Sequence, residues 1–491
     1  MSETGLARGR GPSPSVRSLA GQAAWNTLAL LLQLAGSFAL LALAFRSLPA
    51  ADVGAYSVVA VTVGLIQIID PSAGYVMTRE AARRDWSDPE TGRLLGELRA
   101  GLALIALAVA ATAITLATLT AVAEPGLRRF VTMTAGILLG ASVQLATAHW
   151  PAEAVARGGY RIVCAANGVS AFAALGVAWM LLPRLGLAAL GCAALAGPAL
   201  GRATFLLSPA RSSPPGKPSR SGLRTLWRHT RALYVASLAA MLLAVSDLWT
   251  VGLLRGATAT AAYRAGSMAP TQASALFYRT YDVLYPRLAG VTREAAQRRV
   301  VDASTRVFSA LAGVLFVLLW FEREPITRLI VGQPDRLTEQ VFTVFCAIWL
   351  VNVPIHGLAL LLISRGQPAV LTRVALAEAA LNIVLSVILV LALGPIGAAL
   401  GTLVTMAGSN LLVMPAVAER VHVGARRMVA HGSAWCMLGA TMCWVVEWEV
   451  SRSMAGAFGV AAELLAAAVV CVVALFLSAG ADGRRLVVHR V

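Results

Sequence analysis

One stretch of this sequence places arginines, tyrosines and an amide within a run that is otherwise apolar. The polar side chains of the stretch at 257–281 include Tyr263, Arg264, Gln272, Tyr278 and Arg279. A guanidinium group binds two phosphate or carboxylate oxygens at once, so Arg264 and Arg279 are candidate contacts for an anion. The hydroxyl and amide groups would bind uncharged polar parts of the same ligand. The stretch therefore predicts a ligand-binding surface of positive charge.

The segments that carry these residues are predicted to be transmembrane helices. Of the 491 residues, 58% are hydrophobic and 13% are charged, and the mean hydropathy is +0.73. Soluble domains carry about 25% charged residues, and a helix of roughly 20 apolar residues crosses a bilayer. Fourteen such runs lie near 19–44, 53–76, 100–122, 130–150, 162–182, 187–207, 232–254, 257–281, 303–321, 341–364, 374–393, 396–418, 428–446 and 454–477. The pattern predicts an all-α polytopic membrane protein and excludes a soluble enzyme or a secreted domain.

The distribution of arginine predicts the orientation. The chain has 41 basic and 24 acidic residues, a net charge of +17, and Lys217 is the only lysine. With the N-terminus inside the cell, the alternate loops on that side hold 31 of the 41 basic residues. Basic residues accumulate in cytoplasmic loops, so we expect a multi-pass protein of the inner (cytoplasmic) membrane with both termini cytoplasmic. This role accounts for the basic charge, and no nucleic-acid partner is expected.

Four sequence markers recur in the same order at an offset of 207 to 211 residues. They are Arg46 with Arg255, Tyr56 with Tyr263, Arg157-Gly158 with Arg365-Gly366, and Gly186–Gly191 with Gly397–Gly401. Six predicted spans separate the copies, so the copies have the same topology and are related by an axis along the membrane normal. Parallel repeats of this kind are a transporter architecture with the substrate path between the repeats. We expect two six-helix repeats around a central cleft, followed by two extra helices.

The repeat divides the chain into six predicted parts. They are a cytoplasmic tail (1–18), an N-lobe (19–207), a basic cytoplasmic linker (208–231), a C-lobe (232–418), the extra helices (428–480) and a C-terminal cytoplasmic tail (481–491).

Further polar residues within the spans are candidates for the cleft. They are Asn26, Gln33, Gln67, Asp70 and Asp247. A charge at the bilayer centre costs at least about 2.5–3.5 kcal/mol, so it normally faces a cavity or a partner. Asp247 is expected either to pair with Arg264 or Arg279 or to couple transport to a proton or cation.

Structural roles remain open for several candidates. Arg264 could reach the outer headgroups, and Arg279 could be a cytoplasmic arginine that only sets the orientation of the chain. Asp70 could cap a helix end or pair with Arg79. The six cysteines fall within or beside apolar spans and form no CxxC pair, which favours packing. No metal and no cofactor are expected.

The sequence also resembles a known family in several short motifs. They are Gly21…Trp25-Asn26, Arg46-x-Leu48-Pro49-x-x-x-x-Gly54-x-Tyr56 and Asp70…Arg79-Glu80, with Asp247…Tyr263 and Leu284-Tyr285-Pro286-Arg287-Leu288 as counterparts in the second half. These motifs resemble the signature of polysaccharide-export flippases in the multidrug/oligosaccharidyl-lipid/polysaccharide exporter superfamily. Two departures are Pro71-Ser72-Ala73-Gly74 after Asp70 and the absence of glycine before Tyr263.

The resemblance implies two six-helix lobes that move a lipid-linked oligosaccharide between leaflets by alternating access, without covalent chemistry. The expected partners are the lipid-linked saccharide, membrane lipids and a polysaccharide polymerase or glycosyltransferases. Two alternatives stay open: a cation-coupled multidrug exporter of the same superfamily, and a multi-span enzyme that modifies glycans. An ATP-driven exporter is excluded for this chain, because Lys217 is not part of a GxxxxGK[ST] motif.

Overall fold

The computed structural model describes residues 16–69, 77, 89–119, 124–157, 159–207, 217–282, 294–365, 368–419 and 424–453. Within these ranges the chain is helical and has no strand, which confirms the predicted all-α fold class. Asp70, the second-half motif at 284–288 and the predicted span at 454–477 lie outside the described residues.

The described residues of the first half form seven α-helices. They are α1 (Val16–Ser47), α2 (Ala50–Gln67), α3 (Pro89–Leu119), α4 (Pro125–Ala146), α5 (His149–Ala156), α6 (Tyr160–Leu185) and α7 (Ala188–Ala203). The described residues of the second half form ten more. They are α8 (Arg220–Arg255), α9 (Ala257–Asp282), α10 (Glu294–Phe321), α11 (Arg323–Val331), α12 (Arg336–Asn352), α13 (His356–Ser364), α14 (Pro368–Leu393), α15 (Ile396–Gly408), α16 (Met414–Glu419) and α17 (Ala425–Ser453).

Twelve segments of the described chain are long and apolar enough to cross a membrane. Large apolar side chains cover their outer surfaces; Trp179 is 70% exposed and Leu253 is 86% exposed. Exposed apolar surface of this extent is unfavourable in water and favourable against lipid tails. The protein is therefore a multi-pass membrane protein. Helix α9 has membrane-spanning length but is too polar to be among the twelve segments.

The structure adds two details to the predicted spans. Helix α8 begins at Arg220, within the segment predicted as a linker at 208–231, because the Ser219 hydroxyl caps it by accepting a 3.0 Å hydrogen bond from the Gly222 N–H. Helix α9 continues through Pro270 without a break. Proline removes only one helical hydrogen bond, which neighbouring helices compensate in a membrane protein.

The two halves of the chain pack their helices in the same pairs. The corresponding pairs are α1–α6 with α8–α14, α2–α4 with α9–α12, α3–α4 with α10–α12, α4–α7 with α12–α15, and α6–α7 with α14–α15. The fourth span of each half is also interrupted at a similar depth, at 147–148 between α4 and α5 and at Val353–Ile355 between α12 and α13. Each half is therefore a six-span lobe of the same architecture.

The lobes meet through α2 and α9 near the predicted outer face. A Cβ atom added to Gly54 would lie 1.9 Å from the carbonyl oxygen of Ala257. Only glycine allows the two backbones to approach this closely. A second contact joins the lobes deeper in the membrane, where the Trp249 indole N–H donates to the Thr62 hydroxyl at 2.9 Å.

Near the predicted cytoplasmic face the lobes meet through α3 and α8. A Cβ atom on Gly101 would lie 2.6 Å from the carbonyl oxygen of Gly222. The Thr225 hydroxyl donates to Glu97 at 2.5 Å, and the Ser219 N–H donates to the Ala100 carbonyl at 3.4 Å. This contact joins the two lobes at their predicted cytoplasmic ends, on one side of the molecule.

The opposite side of the interface is packed differently. The symmetry-related counterpart of α3–α8 would join α10 to α1, and no comparable contact between those helices occurs in the described chain. Helix α10 instead packs along α17, where Gly313 and Gly439 allow close approach of the two backbones. In the described chain the lobes are therefore joined through α3 and α8, whereas α1 contacts the C-lobe through α9 and α11 and not through α10.

The orientation is tested by labelling single cysteines in intact cells. Glu124 and Lys217 are exposed residues in predicted outer and inner loops, respectively. We expect a membrane-impermeant maleimide to label Glu124→Cys in intact cells and Lys217→Cys only after lysis. The reverse pattern would contradict the predicted topology.

The α3–α8 contact is tested by two alanine substitutions on one helix. Gly101→Ala places a methyl group against the Gly222 backbone and should lower the free energy of unfolding by about 1–3 kcal/mol, as overpacking does. Gly96→Ala is the matched control, because nothing lies within 4 Å of its added Cβ, and it should be neutral or stabilising by up to about 1 kcal/mol. Equal changes in the free energy of unfolding of the two purified variants would contradict the contact.

Candidate functional site

A large polar cavity lies inside the N-lobe. It has a volume of about 530 Å³ and is enclosed by side chains of α1, α2 and α4 to α7. Its polar lining residues include Gln33, Ser37, Tyr56, Gln67, Gln144, Asn167, Ser170 and Arg202. Because polar side chains facing lipid tails would lose their hydrogen bonds to water, their convergence on one space marks a hydrated cavity.

A smaller cavity of about 160 Å³ adjoins it at the interface between the lobes. Ser37, Leu40, Tyr56 and Ala60 line both spaces. Helix α9 of the C-lobe contributes Arg264, Met268 and Gln272 to the smaller cavity. The N-lobe thus supplies most of the space, and the C-lobe supplies a guanidinium group at its edge.

Arg264 has no counter-ion among the described residues. It follows the first residue of α9 by seven positions, about 10 Å along the helix, and it lies within electrostatic range of Tyr56. Neither set of lining residues contains aspartate or glutamate. The described cavity surface is therefore cationic, and its arginine remains available to an anionic ligand.

Arg202 is a second lining cation that sequence reasoning assigned only to the orientation of the chain. It lies in the last turn of α7, at the predicted cytoplasmic end of the larger cavity. Arg202 lines the same cavity as Gln67 and Gln144, and only the packing of their three helices brings these side chains to one space. The one signal in the sequence is the placement of an arginine directly after an apolar span, which also fits the orientation rule.

Asp247 is buried in the C-lobe and accepts hydrogen bonds from four neutral groups. The donors are the hydroxyls of Tyr263 at 2.8 Å, Ser386 at 2.8 Å and Thr402 at 2.5 Å, and the Asn382 amide at 3.0 Å. These residues come from α8, α9, α14 and α15, so the cluster ties four helices together. Asp247 is 1% exposed, and the expected pairing with Arg264 does not occur because these four donors surround the carboxylate.

The corresponding place in the N-lobe is part of the cavity. Tyr56 stands 207 residues before Tyr263, as one of the repeat markers. Ala174 stands 208 residues before Asn382, the same offset as Arg157 and Arg365. Both N-lobe residues line the larger cavity. At the position of Asn382 the N-lobe thus has a small side chain beside an open space.

Tyr278 belongs to another buried group in the C-lobe. Its hydroxyl accepts a hydrogen bond from the Asn352 amide at 2.7 Å, and the Asn352 oxygen accepts one from Asn410 at 2.9 Å. The Tyr278 ring lies against His356, with ring centroids 4.4 Å apart. These contacts hold α9 against the interruption between α12 and α13.

The remaining sequence candidates occupy different places. Gln33 and Gln67 line the larger cavity, and Gln272 lines the smaller one. Asn26 is half-buried on α1 and lines neither cavity; the adjacent Trp25 lies under the guanidinium of Arg161, 5.6 Å from its ring centre. Arg279 lies in the last turn of α9, and its side chain is outside the described part of the structure.

The repeated arginines Arg46 and Arg255 make different contacts. Arg255 donates to the carbonyl oxygens of Val390 at 2.8 Å and Leu391 at 3.0 Å, which satisfies the last turn of α14 within its own lobe. Arg46 donates instead to the Leu329 carbonyl of α11 at 3.0 Å and so joins the two lobes near their predicted outer ends. Both arginines satisfy helix C-terminal carbonyls, and neither lines the two polar cavities described above.

No group of three or more histidine, cysteine, aspartate or glutamate side chains converges within the described ranges. The cluster around Asp247 combines one carboxylate with the oxygen atoms of Asn382, Ser386 and Thr402. Oxygen atoms of this kind bind protons or hard cations such as Na⁺ better than they bind soft metals.

Comparisons of the fold identify its class. A lipid II flippase, MurJ, in an inward-closed conformation superposes with a TM-score of 0.71 at 13% identity, over 95% of this chain and 100% of that chain. The chain has the fold of the multidrug/oligosaccharidyl-lipid/polysaccharide exporter superfamily. An outward-facing MATE multidrug transporter of this superfamily gives 0.56 at 12% identity, over 82% and 95% of the two chains.

A further superfamily transporter, from Pyrococcus furiosus, gives a TM-score of 0.54 at 12% identity, over 87% of this chain and 96% of that chain. No family model and no curated protein matches the sequence itself. The predicted superfamily fold is confirmed by these structures.

The Asp247 cluster is tested by two threonine substitutions on α15. Thr402→Val removes a donor to the buried carboxylate and should destabilise the protein by about 1–2 kcal/mol, the upper range for hydrogen bonds within membranes. Thr405→Val is the matched control, because the Thr405 hydroxyl is buried without a hydrogen-bond partner in the described structure, and it should be neutral or stabilising. Equal losses in the free energy of unfolding would contradict this assignment.

Proposed function

We propose that the protein is a flippase that moves a polyprenyl-pyrophosphate-linked oligosaccharide from the cytoplasmic to the outer leaflet of the cell membrane. The observation that carries this proposal is Arg264, a guanidinium group that has no counter-ion among the described residues and lies at the edge of a cavity with no described acidic lining residue. A pyrophosphate group would supply the missing negative charge and accept paired hydrogen bonds.

The physical task of a flippase is to solvate a saccharide within the bilayer. Each hydroxyl moved from water into hydrocarbon without a hydrogen bond costs about 4–8 kcal/mol. The glutamine, asparagine, serine and tyrosine side chains of the N-lobe cavity offer replacement donors and acceptors. No covalent bond needs to form or break, so alternating access of the two lobes is sufficient for the function.

A lipid-linked substrate also requires a lateral opening, because its polyprenyl chain remains in the bilayer while the head moves. Helices α1 and α10 do not pack closely against each other in the described part of the chain, which supports an opening between these two helices. Gln33 lies on α1 and lines the cavity, so a head group entering beside this helix would meet the polar lining directly. The similarity in fold to a lipid II flippase supports the same substrate class.

The competing proposal is a cation-coupled exporter of organic cations, which the similarity in fold to MATE multidrug transporters supports. Acidic contacts favour the binding of organic cations, whereas the described cavity lining contains two arginines and no acidic residue; its aromatic residues are Tyr56 and Phe205. The charge of the cavity therefore favours an anionic substrate.

We further propose that the cluster around Asp247 couples transport to a proton or a monovalent cation. A buried intramembrane carboxylate is costly to charge and commonly serves such coupling. The cluster joins α8 and α9, the two C-lobe helices that contact the N-lobe through α2 and α3. Binding or release of a proton or cation at this cluster would therefore act on helices that join the two lobes.

The substrate proposal is tested by replacing the cavity arginine. Arg264→Ala should reduce surface glycan at least about tenfold and cause lipid-linked saccharide to accumulate, because a charge-assisted hydrogen bond contributes about 1.5–3 kcal/mol. Arg264→Lys should retain part of the export. Arg184→Ala is the matched control, since Arg184 is an exposed arginine at the end of α6.

Surface glycan and accumulated lipid-linked saccharide are measured in cells in which each variant is the only copy of the protein. The level of the protein is determined in parallel. Normal export by Arg264→Ala would contradict the proposed substrate contact. Efflux of a cationic dye that depends on the wild-type protein would instead favour the multidrug exporter.

The coupling proposal is tested with Asp247→Asn in reconstituted vesicles. The substitution keeps the volume and removes the charge, so the rate of lipid translocation should no longer respond to a gradient of Na⁺ or of pH. A gradient dependence equal to that of the wild-type protein would contradict coupling through Asp247.

A further inference from the structure

A second cationic pocket lies outside the lobe interface, at the predicted cytoplasmic end of the C-lobe. It has a volume of about 280 Å³ and is formed by the first turns of α10, by α13 and by the first turns of α17. Its charged and titratable lining residues are Arg298, Arg299, Asp302, Arg306, Arg427 and His431. None of them lines the cavities beside Arg264.

Arginines outnumber acidic residues in the lining of this pocket. Asp302 forms an ion pair with Arg306 and lies 3.6 Å from the His431 Nδ1 atom. Four arginines and one aspartate give the lining a formal charge of +3 when His431 is neutral. Like charges that are held together by the fold repel each other. A bound anion would relieve this repulsion between α10 and α17.

The floor of the pocket is apolar. Leu358, Leu361 and Met428 form it, and they belong to a buried hydrophobic cluster that also contains Val301 and Ala425. A free inorganic anion would gain nothing from this surface. A ligand with a phosphate group beside a glycerol or acyl portion would contact both the arginine rim and the apolar floor.

The position of the pocket favours a ligand from the membrane. Its rim is formed at the cytoplasmic ends of membrane-spanning helices, where the headgroups of that leaflet lie, and basic pockets between such helices bind anionic lipid headgroups. Helix α17 packs along α10 and lies outside the two six-span lobes. A headgroup in the pocket would join this additional helix to the C-lobe.

We propose that this pocket binds the phosphate group of an anionic phospholipid of the cytoplasmic leaflet. The site is independent of the transported substrate, and its occupancy would stabilise the contact of α17 with α10. Arg298 and Arg427, from the two facing helices, are the arginines whose charge the phosphate would bridge.

The experiment measures lipid binding to the full-length purified protein. Short-chain phosphatidylglycerol, phosphatidylcholine and inorganic pyrophosphate are titrated separately. Phosphatidylglycerol should bind saturably, and the double variant Arg298→Gln/Arg427→Gln should weaken its binding at least tenfold. The matched control is Arg373→Gln/Arg426→Gln, which removes the same charge from exposed arginines outside the pocket and should change binding less than twofold.

The outcomes separate the possible ligands. Equal phosphatidylglycerol binding by the two double variants would overturn the proposal. Pyrophosphate binding that is lost in the pocket variant, without preference for phosphatidylglycerol over phosphatidylcholine, would assign the pocket to a soluble phosphate compound and would also overturn it.

A measurement on the wild-type protein covers the case in which the pocket variant does not fold. Phosphatidylglycerol that carries a photoreactive group should label peptides from the first turns of α10 and α17. Labelling confined to other helices would overturn the proposal.

Discussion

An arginine that lies within a membrane-spanning helix and has no counter-ion among the described residues is the constraint on which the proposed function depends. Such a charge is tolerated next to water, a ligand or a partner, so Arg264 requires a polar space beside α9. That space adjoins the contact between α2 and α9: Gly54 of α2 packs against Ala257, and Tyr56 and Ala60 of the same helix line both cavities. The close backbone contact and the cavity are therefore neighbouring parts of one interface.

The two lobes share their helix pairs but differ in their interiors. In the C-lobe, Asp247 and its four donors fill the space between α8, α9, α14 and α15. In the N-lobe, Ala174 stands at the position of the Asn382 donor, and the space beside it remains open. Under the proposed function the two lobes have separate tasks: the N-lobe would provide room for a polar head group, and the C-lobe would provide the cation and a buried carboxylate.

The sequence predicted the features that depend on local composition or on periodicity. Apolar runs predicted the spans, and the recurrence of Arg46 at Arg255 and of Tyr56 at Tyr263 predicted repeats that the structure packs in corresponding pairs. The polarity of residues 257–281 identified α9, the helix that carries Arg264 to the lobe interface.

Features that depend on packing could not be predicted from the sequence. The cavity arises from alanines and glycines, which are abundant throughout this chain and give no local signal. The partners of Asp247 lie 16 to 155 residues away along the chain, and the lining role of Arg202 was indistinguishable from its role in orientation. Helix α9 passes Pro270 without a break because tertiary contacts compensate the lost hydrogen bond, which a single segment does not reveal.

The most direct test of the central claim is a leaflet assay in vesicles that contain only the purified protein. A fluorescent polyprenyl-pyrophosphate-linked saccharide is incorporated in both leaflets, and an impermeant quencher is added outside. The account predicts that the quencher reaches the whole population in vesicles with the protein and only the outer-leaflet portion in vesicles without it. Quenching confined to the outer-leaflet portion in both preparations, while the protein binds and transports a cationic dye, would contradict the account.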